Sequence, residues 1–197
     1  MSSLHPGDTL VFGLSWGIFS HAGQLRIETV EEEHPEYGKV IRVRIHTRSR
    51  GLISAVFPVD SSADSFIDPT TGRPLLIERR GQEGDRETHT TTVYDYEAMR
   101  VKHTDHNRAK RSGEADLPEE PAYDTFVVMM LARTWDMNTG DKRTVYGSFE
   151  DDIYQLEATA LEEDRIKTPM GRYDVVEIEL KQLGELNGTE QKFSADA

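Results

Sequence analysis

The feature that most constrains this chain is a strict alternation of apolar and polar residues between Lys39 and Arg48. The apolar positions are Ile41, Val43 and Ile45, and the polar positions are Arg42, Arg44, His46 and Arg48. Successive side chains of an extended chain point to opposite faces of a sheet, so this period of two predicts a β-strand. Because only one face is apolar, we expect the sheet to bury one side and to expose the other.

Similar alternation recurs along most of the chain. Residues 23–30 alternate in the same way, and a turn rich in Pro and Gly separates them from residues 39–48, so the two segments predict an antiparallel hairpin. Further candidate strands are residues 8–17, 85–96, 142–149, 153–161 and 173–181. Turns spaced by about 8–12 residues are typical of a meander that curls into a barrel, a half-barrel or a sandwich. No internal repeat or linker divides the sequence, so residues 1–197 are predicted to form a single domain.

Residues 122–136 depart from the alternation and predict one helix. Their apolar stripe consists of Phe126, Val127, Met130, Leu131 and Thr134, widened by Val128, Met129 and Trp135. A helix that is apolar over so much of its circumference should be buried. Pro121 suits the first turn of this helix, and Gly140 suits its end. Residues 107–121 are polar and predict a long exposed loop, whereas the short apolar run of residues 52–59 fits either a helical turn or a buried strand.

Charge and composition exclude several classes of function. The net charge of -13 argues against a general nucleic-acid binder, because such a protein needs a basic surface. The absence of Cys excludes disulfides, thiolate catalysis and zinc fingers. No stretch approaches the ~20 apolar residues of a membrane span. No signal peptide is visible, which fits either a cytoplasmic protein or a mature domain that follows an export signal.

Several short motifs, taken in order, resemble a known family. They are residues 13–18, 22–25, 48–51, 57–60, 64–69 and 92–95, then Asp124 and Arg133 of the predicted helix, and finally residues 168–173. Over about residues 7–182 this series is similar to the bacterial exported "domain of unknown function 3108" family. No established activity and no catalytic residues come with that resemblance.

The resemblance implies an exported protein of the Gram-negative cell envelope, in the periplasm or associated with the outer membrane. It also implies a mainly β fold, in which a single curved antiparallel sheet forms a half-open barrel around the helix near residues 122–136. That shape is similar to the periplasmic lipoprotein carriers. Family members continue with a further strand, and Phe193–Ala197 looks like its beginning, so we expect the chain to lack its export signal and its last strands.

Aromatic residues are the first candidates for a binding site. In a half-open barrel, some inward residues line a cavity instead of filling a core, and apolar pockets of this kind hold acyl chains. We predict that Trp16, Phe57, Phe126 and Trp135 contact a hydrophobic ligand. The alternative is that these side chains simply pack the helix against the sheet.

Arg42 and Arg44 form a basic stripe that stands out in an acidic protein. The stripe could meet an anionic ligand, such as an acidic glycan or a lipid head group, so both residues are candidate ligand-binding residues. The alternative is cross-strand pairing with Glu28 and its neighbours.

His103, Asp105 and His106 are weak candidates for metal ligands, since imidazole and carboxylate groups bind zinc, nickel or copper. No further ligand stands at a diagnostic spacing, and a polar hairpin turn explains the same residues, so we expect no metal cofactor. The letters of residues 13–17 match a hydrolase elbow, but that motif needs a strand that turns into a helix, and here another strand follows. We therefore assign no catalytic residue.

Three hypotheses of function remain. The first is a non-catalytic cell-envelope protein that binds a hydrophobic or glycan ligand in a concave sheet. The second is a metal- or carboxylate-dependent hydrolase of envelope polymers. The third is a structural adaptor that pairs through an exposed sheet edge.

Overall fold

A computed structural model describes residues 6–16, 19–168 and 171–185 of the chain. The strands are β1 Thr9–Trp16, β2 Phe19–His34, β3 Gly38–Ser49, β4 Val59–Ile67, β5 Pro74–Glu83, β6 Arg86–Asp95, β7 Arg100–Asp105, β8 Gly113–Asp116, β9 Ala122–Asp124, β10 Lys142–Phe149, β11 Asp152–Thr168 and β12 Gly171–Glu185. The helices are α1 Gly51–Val56 and α2 Thr125–Ala132. The predicted mainly β fold is confirmed. Of the helices within the described ranges, none has the length and apolar character needed to span a bilayer.

The strands divide between two sheets, where the sequence predicted one. The first sheet is an antiparallel meander of eight strands in the order β1 to β8. The second has the order β12-β11-β10-β9 and is antiparallel except for the short parallel pair of β9 and β10. Pro118 and Pro121 follow β8, and proline cannot donate a hydrogen bond to a ladder, which helps to end the first sheet there. In the described part of the chain, neither sheet closes into a barrel. The segment Phe193–Ala197, where the sequence suggests a further strand, lies outside the described residues.

The predicted hairpin of residues 23–30 and 39–48 is confirmed by β2 and β3. Ile27 lies opposite Ile45, and Thr29 lies opposite Val43. Ile41, Val43 and Ile45 are buried, whereas Arg42, Arg44 and His46 between and after them are at least partly exposed. We call the face that carries Val43 and Ile45 the inner face of the first sheet.

The inner face has an apolar half and a polar half. The apolar half lies on β2 to β4 and is built around Ile27, Val43, Ile45 and Ile67. The register carries the same face across β5, β6 and β7. There the polar half consists of Arg79, Thr90, Thr92, His103 and Asp105, and it borders a second apolar cluster that includes Ile77, Tyr94 and Val101. Most of these polar side chains are buried, so they must find partners inside the fold.

The predicted buried helix is present, but it is shorter than residues 122–136. Ala122–Asp124 form β9, because Ala122 and Asp124 pair with Tyr146 and Ser148 of β10. Helix α2 therefore begins after Asp124, whose carboxylate accepts a hydrogen bond of 2.9 Å from the N–H of Phe126. The prediction that Pro121 occupies the first helical turn is wrong for the same reason.

Helix α2 lies between the two sheets, which explains why it is apolar on both sides. Val127 and Met130 pack on the apolar half of the inner face. Val128, on another side of the helix, packs against Tyr154 and Leu156 of the second sheet. Burial on two sides leaves no polar face, in agreement with its apolar sequence.

The predicted long loop of residues 107–121 is wrong in part, because Gly113–Asp116 form β8 on the edge of the first sheet. Gly113 permits this arrangement, since the carboxylate of Asp151 occupies the space where a Cβ would lie. The 3-10 turn Ala109–Arg111 also falls in this segment. A strand of four residues without apolar alternation gives almost no signal in a sequence.

A buried ion pair between Asp124 and Arg79 ties α2 to the first sheet, because the guanidinium donates to the carboxylate and Asp124 is only 2% exposed. We predict that Asp124→Ala lowers the free energy of unfolding by about 3–5 kcal/mol, since it removes the helix cap and leaves Arg79 without its counter-charge. Urea denaturation measures this change.

The matched control is Arg100→Met, which breaks an exposed pair with Glu114 and Asp116 and should change stability by no more than about 0.5 kcal/mol. Adding Arg79→Met to Asp124→Ala should cost less than the sum of the two single changes. Full additivity would contradict the proposed pairing.

Candidate ligand-binding site

The inner face is partly open at one end, along a row of six neighbouring residues. The row runs across β1 to β6 and consists of Phe12, Leu25, Thr47, Ser61, Gly81 and Thr88. We call it the open row. None of its members is buried, and Phe12 is 45% exposed. The next row toward the centre contains Ile27 and Ile45, which are only 4% and 2% exposed, so the core reaches solvent at the open row.

The open row changes from apolar to polar along its length. Phe12 and Leu25, on β1 and β2, continue the apolar half of the inner face, where Leu25 packs against the core together with Phe126 and Leu131 of α2. Thr47, Ser61 and Thr88 place hydroxyl groups further along the same row. An apolar surface that ends in a few polar groups is the usual composition of a small-molecule site.

A short segment that we call the strap, residues 51–58, lies at the same end of the sheet. It contains α1. The N–H of Arg50 donates to Ala22 O at 2.8 Å, and the N–H of Gly84 donates to Pro58 O at 2.7 Å, so the strap is anchored at both ends. Its apolar side chains face outward: Leu52 is 74% exposed and Val56 is 82% exposed.

Phe57 holds the strap against the turn between β5 and β6. A Cβ on Gly84 would lie 3.0 Å from Phe57 Cε2, and Gly84 has a φ of +60, so glycine is needed there for both space and backbone conformation. This contact places one predicted ligand-binding residue beside the open row.

The four predicted aromatic residues do not all meet. Phe57 belongs to the strap, and Phe126 packs on the apolar half of the inner face. Trp135 instead packs in the cluster of the second sheet, where the guanidinium of Arg143 lies 5.2 Å from its ring centroid. Trp16 is the last residue of β1, and its side chain lies outside the described part of the structure.

Arg42 and Arg44 lie on the face opposite the open row. Arg44 donates to Asp64 through Nε at 2.7 Å and through Nη2 at 3.0 Å, and these bonds raise the pKa of Arg44. Arg42 pairs with Glu32 at 3.2 Å. Carboxylates of this chain thus already contact both guanidinium groups, as in the cross-strand alternative, although the main partner is Asp64 and not Glu28.

The three candidate metal ligands are separated by the sheet. His103 and Asp105 lie on the inner face, whereas His106 stacks on His89, with ring centroids 4.3 Å apart, and shares a hydrogen bond of 2.8 Å with Thr91. Across the described ranges, no group of three or more His, Asp or Glu side chains is arranged to hold a metal ion.

Asp105 has a structural role in the turn that follows β7. Its Oδ1 accepts hydrogen bonds from the N–H groups of Asn107 and Arg108 at 2.9 and 2.8 Å. Burial alone would raise the pKa of Asp105, but these bonds and the Arg108 charge lower it overall.

The polar half of the inner face brings His103 and Asp105, which the sequence singled out, together with Arg79, which it did not. The guanidinium of Arg79 pairs with Asp124 and lies 4.8 Å from the ring centroid of Phe149. His103 Nδ1 shares a hydrogen bond of 2.9 Å with the Thr92 hydroxyl, and its Nε2 has no partner among the described residues. No signal in the sequence indicates that Arg79 and Asp124 meet, because their contact depends on the packing of the two sheets.

His103 gives the fold a pH dependence. Burial lowers the pKa of His103 below its ordinary value of 6.5, although the carboxylates of Glu150 and Asp151 act against this. Folding therefore favours the neutral imidazole, and the unfolded chain binds the additional proton. We predict that the free energy of unfolding falls as the pH drops below about 6.5. In the variant His103→Gln, the number of protons taken up on unfolding should be smaller by up to one.

Urea denaturation at a series of pH values between about 5 and 8 tests this prediction. The variant should lose less stability than the natural sequence on acidification. Equal losses would mean that His103 does not titrate on unfolding.

Comparison with known proteins identifies a family whose description assigns no function. The family model described as "Protein of unknown function (DUF3108)" matches residues 11–193. No curated protein and no solved structure matches the chain. The matched range includes Phe12 and the rest of the open row, the strap and α2, so the candidate site lies inside the shared domain.

Proposed function

The chain belongs to the DUF3108 family, and on that premise we propose that it is a non-catalytic binding protein for an amphiphilic ligand with an acyl chain. The observation that carries the proposal is the open row of the inner face. At this row the edge of the apolar core, which α2 partly covers, is exposed to solvent. Next to it lies a line of hydroxyl groups. The acyl chain would lie over Phe12 and Leu25, and the polar end over Thr47, Ser61 and Thr88.

The expected affinity follows from the area that such a ligand covers. Each methylene group removed from water contributes about 0.8 kcal/mol. Micromolar binding needs about 8 kcal/mol, so about ten methylenes would supply it before the cost of immobilising the ligand. The strap adds apolar surface at the same end, because Leu52 and Val56 are far more exposed than most aliphatic side chains.

The hydrolase hypothesis has less support. It needs His103, Asp105 and His106, or two carboxylates, to meet in one cleft, and His106 lies on the opposite face of the sheet from the other two. The polar half of the inner face is covered by the second sheet and the turn that follows β10: Arg79 pairs with Asp124 of β9 and lies against Phe149 of β10, and Asp151 lies beside Gly113. These groups therefore serve the fold.

We place the proposed activity in the bacterial cell envelope, in the periplasm or at the outer membrane. The support is the resemblance of the sequence motifs to a bacterial exported family, which implies an exported protein. Fractionation of a host that carries the natural gene should recover the protein with periplasmic or outer-membrane markers. Recovery with cytoplasmic markers would contradict the proposed location. It would not decide the ligand proposal, which the binding experiment below tests.

A neighbouring pair of residues on β1 tests the ligand site. Phe12 and Val11 are 45% and 51% exposed, but they point to opposite faces of the sheet. We predict that Phe12→Glu weakens the binding of a long-chain fluorescent fatty acid by about tenfold or more, because a charge replaces an apolar contact. Fluorescence titration of the purified protein measures the dissociation constant.

Val11→Glu is the matched control and should leave that dissociation constant within about twofold of the natural value. Thermal unfolding of both variants checks that each remains folded. Equal weakening by the two substitutions would contradict a site on the inner face. Absence of saturable binding to the natural sequence would overturn the proposed function itself.

A further inference from the structure

The hairpin of β11 and β12 extends beyond the second sheet as a two-stranded arm. Within the described residues, strand β10 pairs with β11 only as far as Thr159. Next along β11, Ala160 O accepts a hydrogen bond of 2.8 Å from the N–H of Gly140, and the N–H of Ala160 donates to Asp141 O at 2.9 Å. Beyond that point the only described strand that pairs with β11 is β12, from Glu163 opposite Val176 to Thr168 opposite Gly171. We call residues 161–168 and 171–176 the arm; residues 161–167 and 171–174 are exposed throughout.

Among residues 6–16, 19–168 and 171–185, little stabilises the arm. A two-stranded ribbon is at best marginally stable in water. Arg165 donates to Asp174 at 2.6 and 3.1 Å, but both side chains are highly exposed, so this ion pair contributes little. Ile166, opposite the exposed ring of Tyr173, is itself 43% exposed. An additional strand along the arm would bury this surface and satisfy the open edge.

The charges along β11 select the kind of strand that fits. Glu162, Glu163 and Asp164 are followed by Arg165 and Lys167, so acids occupy one half of the edge and bases the other. An antiparallel copy of the same segment brings the acidic half of one chain against the basic half of the other. A parallel copy would place like charges together, which is unfavourable for directly opposed residues.

We propose that the arm is a self-association surface, at which β11 pairs antiparallel with β11 of a second copy of this chain. The two-fold axis passes at Arg165, whose charge is already balanced by Asp174 in each copy. Glu163 then lies opposite Lys167 of the second copy, and symmetry makes this pair twice. The three residues alternate with Asp164 and Ile166, so they share one face of the joined sheet. The proposal goes beyond the ligand-binding function and does not depend on it.

Charge reversal gives a test that separates repulsion from misfolding. Analytical ultracentrifugation of the natural sequence should show a dimer. Glu163→Lys and Lys167→Glu should each weaken that dimer by about tenfold or more, because each turns both symmetric ion pairs into like-charge pairs. When the two variants are mixed in equal amounts, a heterodimer should form, since one chain now offers two cations along the edge and the other offers two anions.

Glu179→Lys is the control, because Glu179 is an exposed residue of β12, away from the edge that would pair. It makes the same change of charge and should leave the dimer intact. Recovery of a dimer on mixing cannot arise from two unfolded chains, so it would support the pairing directly. A monomeric natural protein, a dimer that neither reversal weakens, or a mixture that stays monomeric would overturn the proposal.

Discussion

The structure depends on a helix that is apolar on two sides and is fixed at its N-terminus by a buried ion pair. Helix α2 joins the sheets because Val127 and Met130 pack on one and Val128 packs on the other. Asp124 caps the helix and pairs with Arg79, which positions it over the centre of the inner face. The helix therefore covers the apolar half of the inner face, while the open row at the end of that face stays partly exposed, which gives the candidate site its shape.

Electrostatics divides the first sheet in a way that the net charge of -13 does not suggest. On the outer face, the arginines of β3 are matched by acids on adjacent strands, as in the pair of Arg44 and Asp64. On the inner face, polar groups are concentrated on β5 to β7, where Arg79 and His103 are buried with specific partners. The apolar half near β1 is thus left as the surface best suited to an uncharged chain.

Local patterns predicted seven of the strands, the first hairpin and the buried helix, because alternation and helical periodicity are properties of neighbouring residues. The limits of α2 could not be predicted, since Ala122–Asp124 pair with β10, which lies more distant in the sequence. The same holds for Arg42 and Arg44, whose acidic partners depend on the register of β2, β3 and β4. Of the predicted site residues, Phe57 was placed beside the open row, whereas Trp135 packs with the second sheet. The open row draws one residue from each of six strands, so only the complete register reveals it.

The central claim is that an acyl chain occupies the open row, and paramagnetic NMR tests it most directly. A fatty acid that carries a nitroxide near the end of its chain broadens the amide signals of nearby residues. The account predicts that Phe12 and Leu25 broaden strongly and that Arg42 and Arg44, on the outer face, do not. Broadening that is strongest on the outer face, or that is uniform over the protein, would contradict the account.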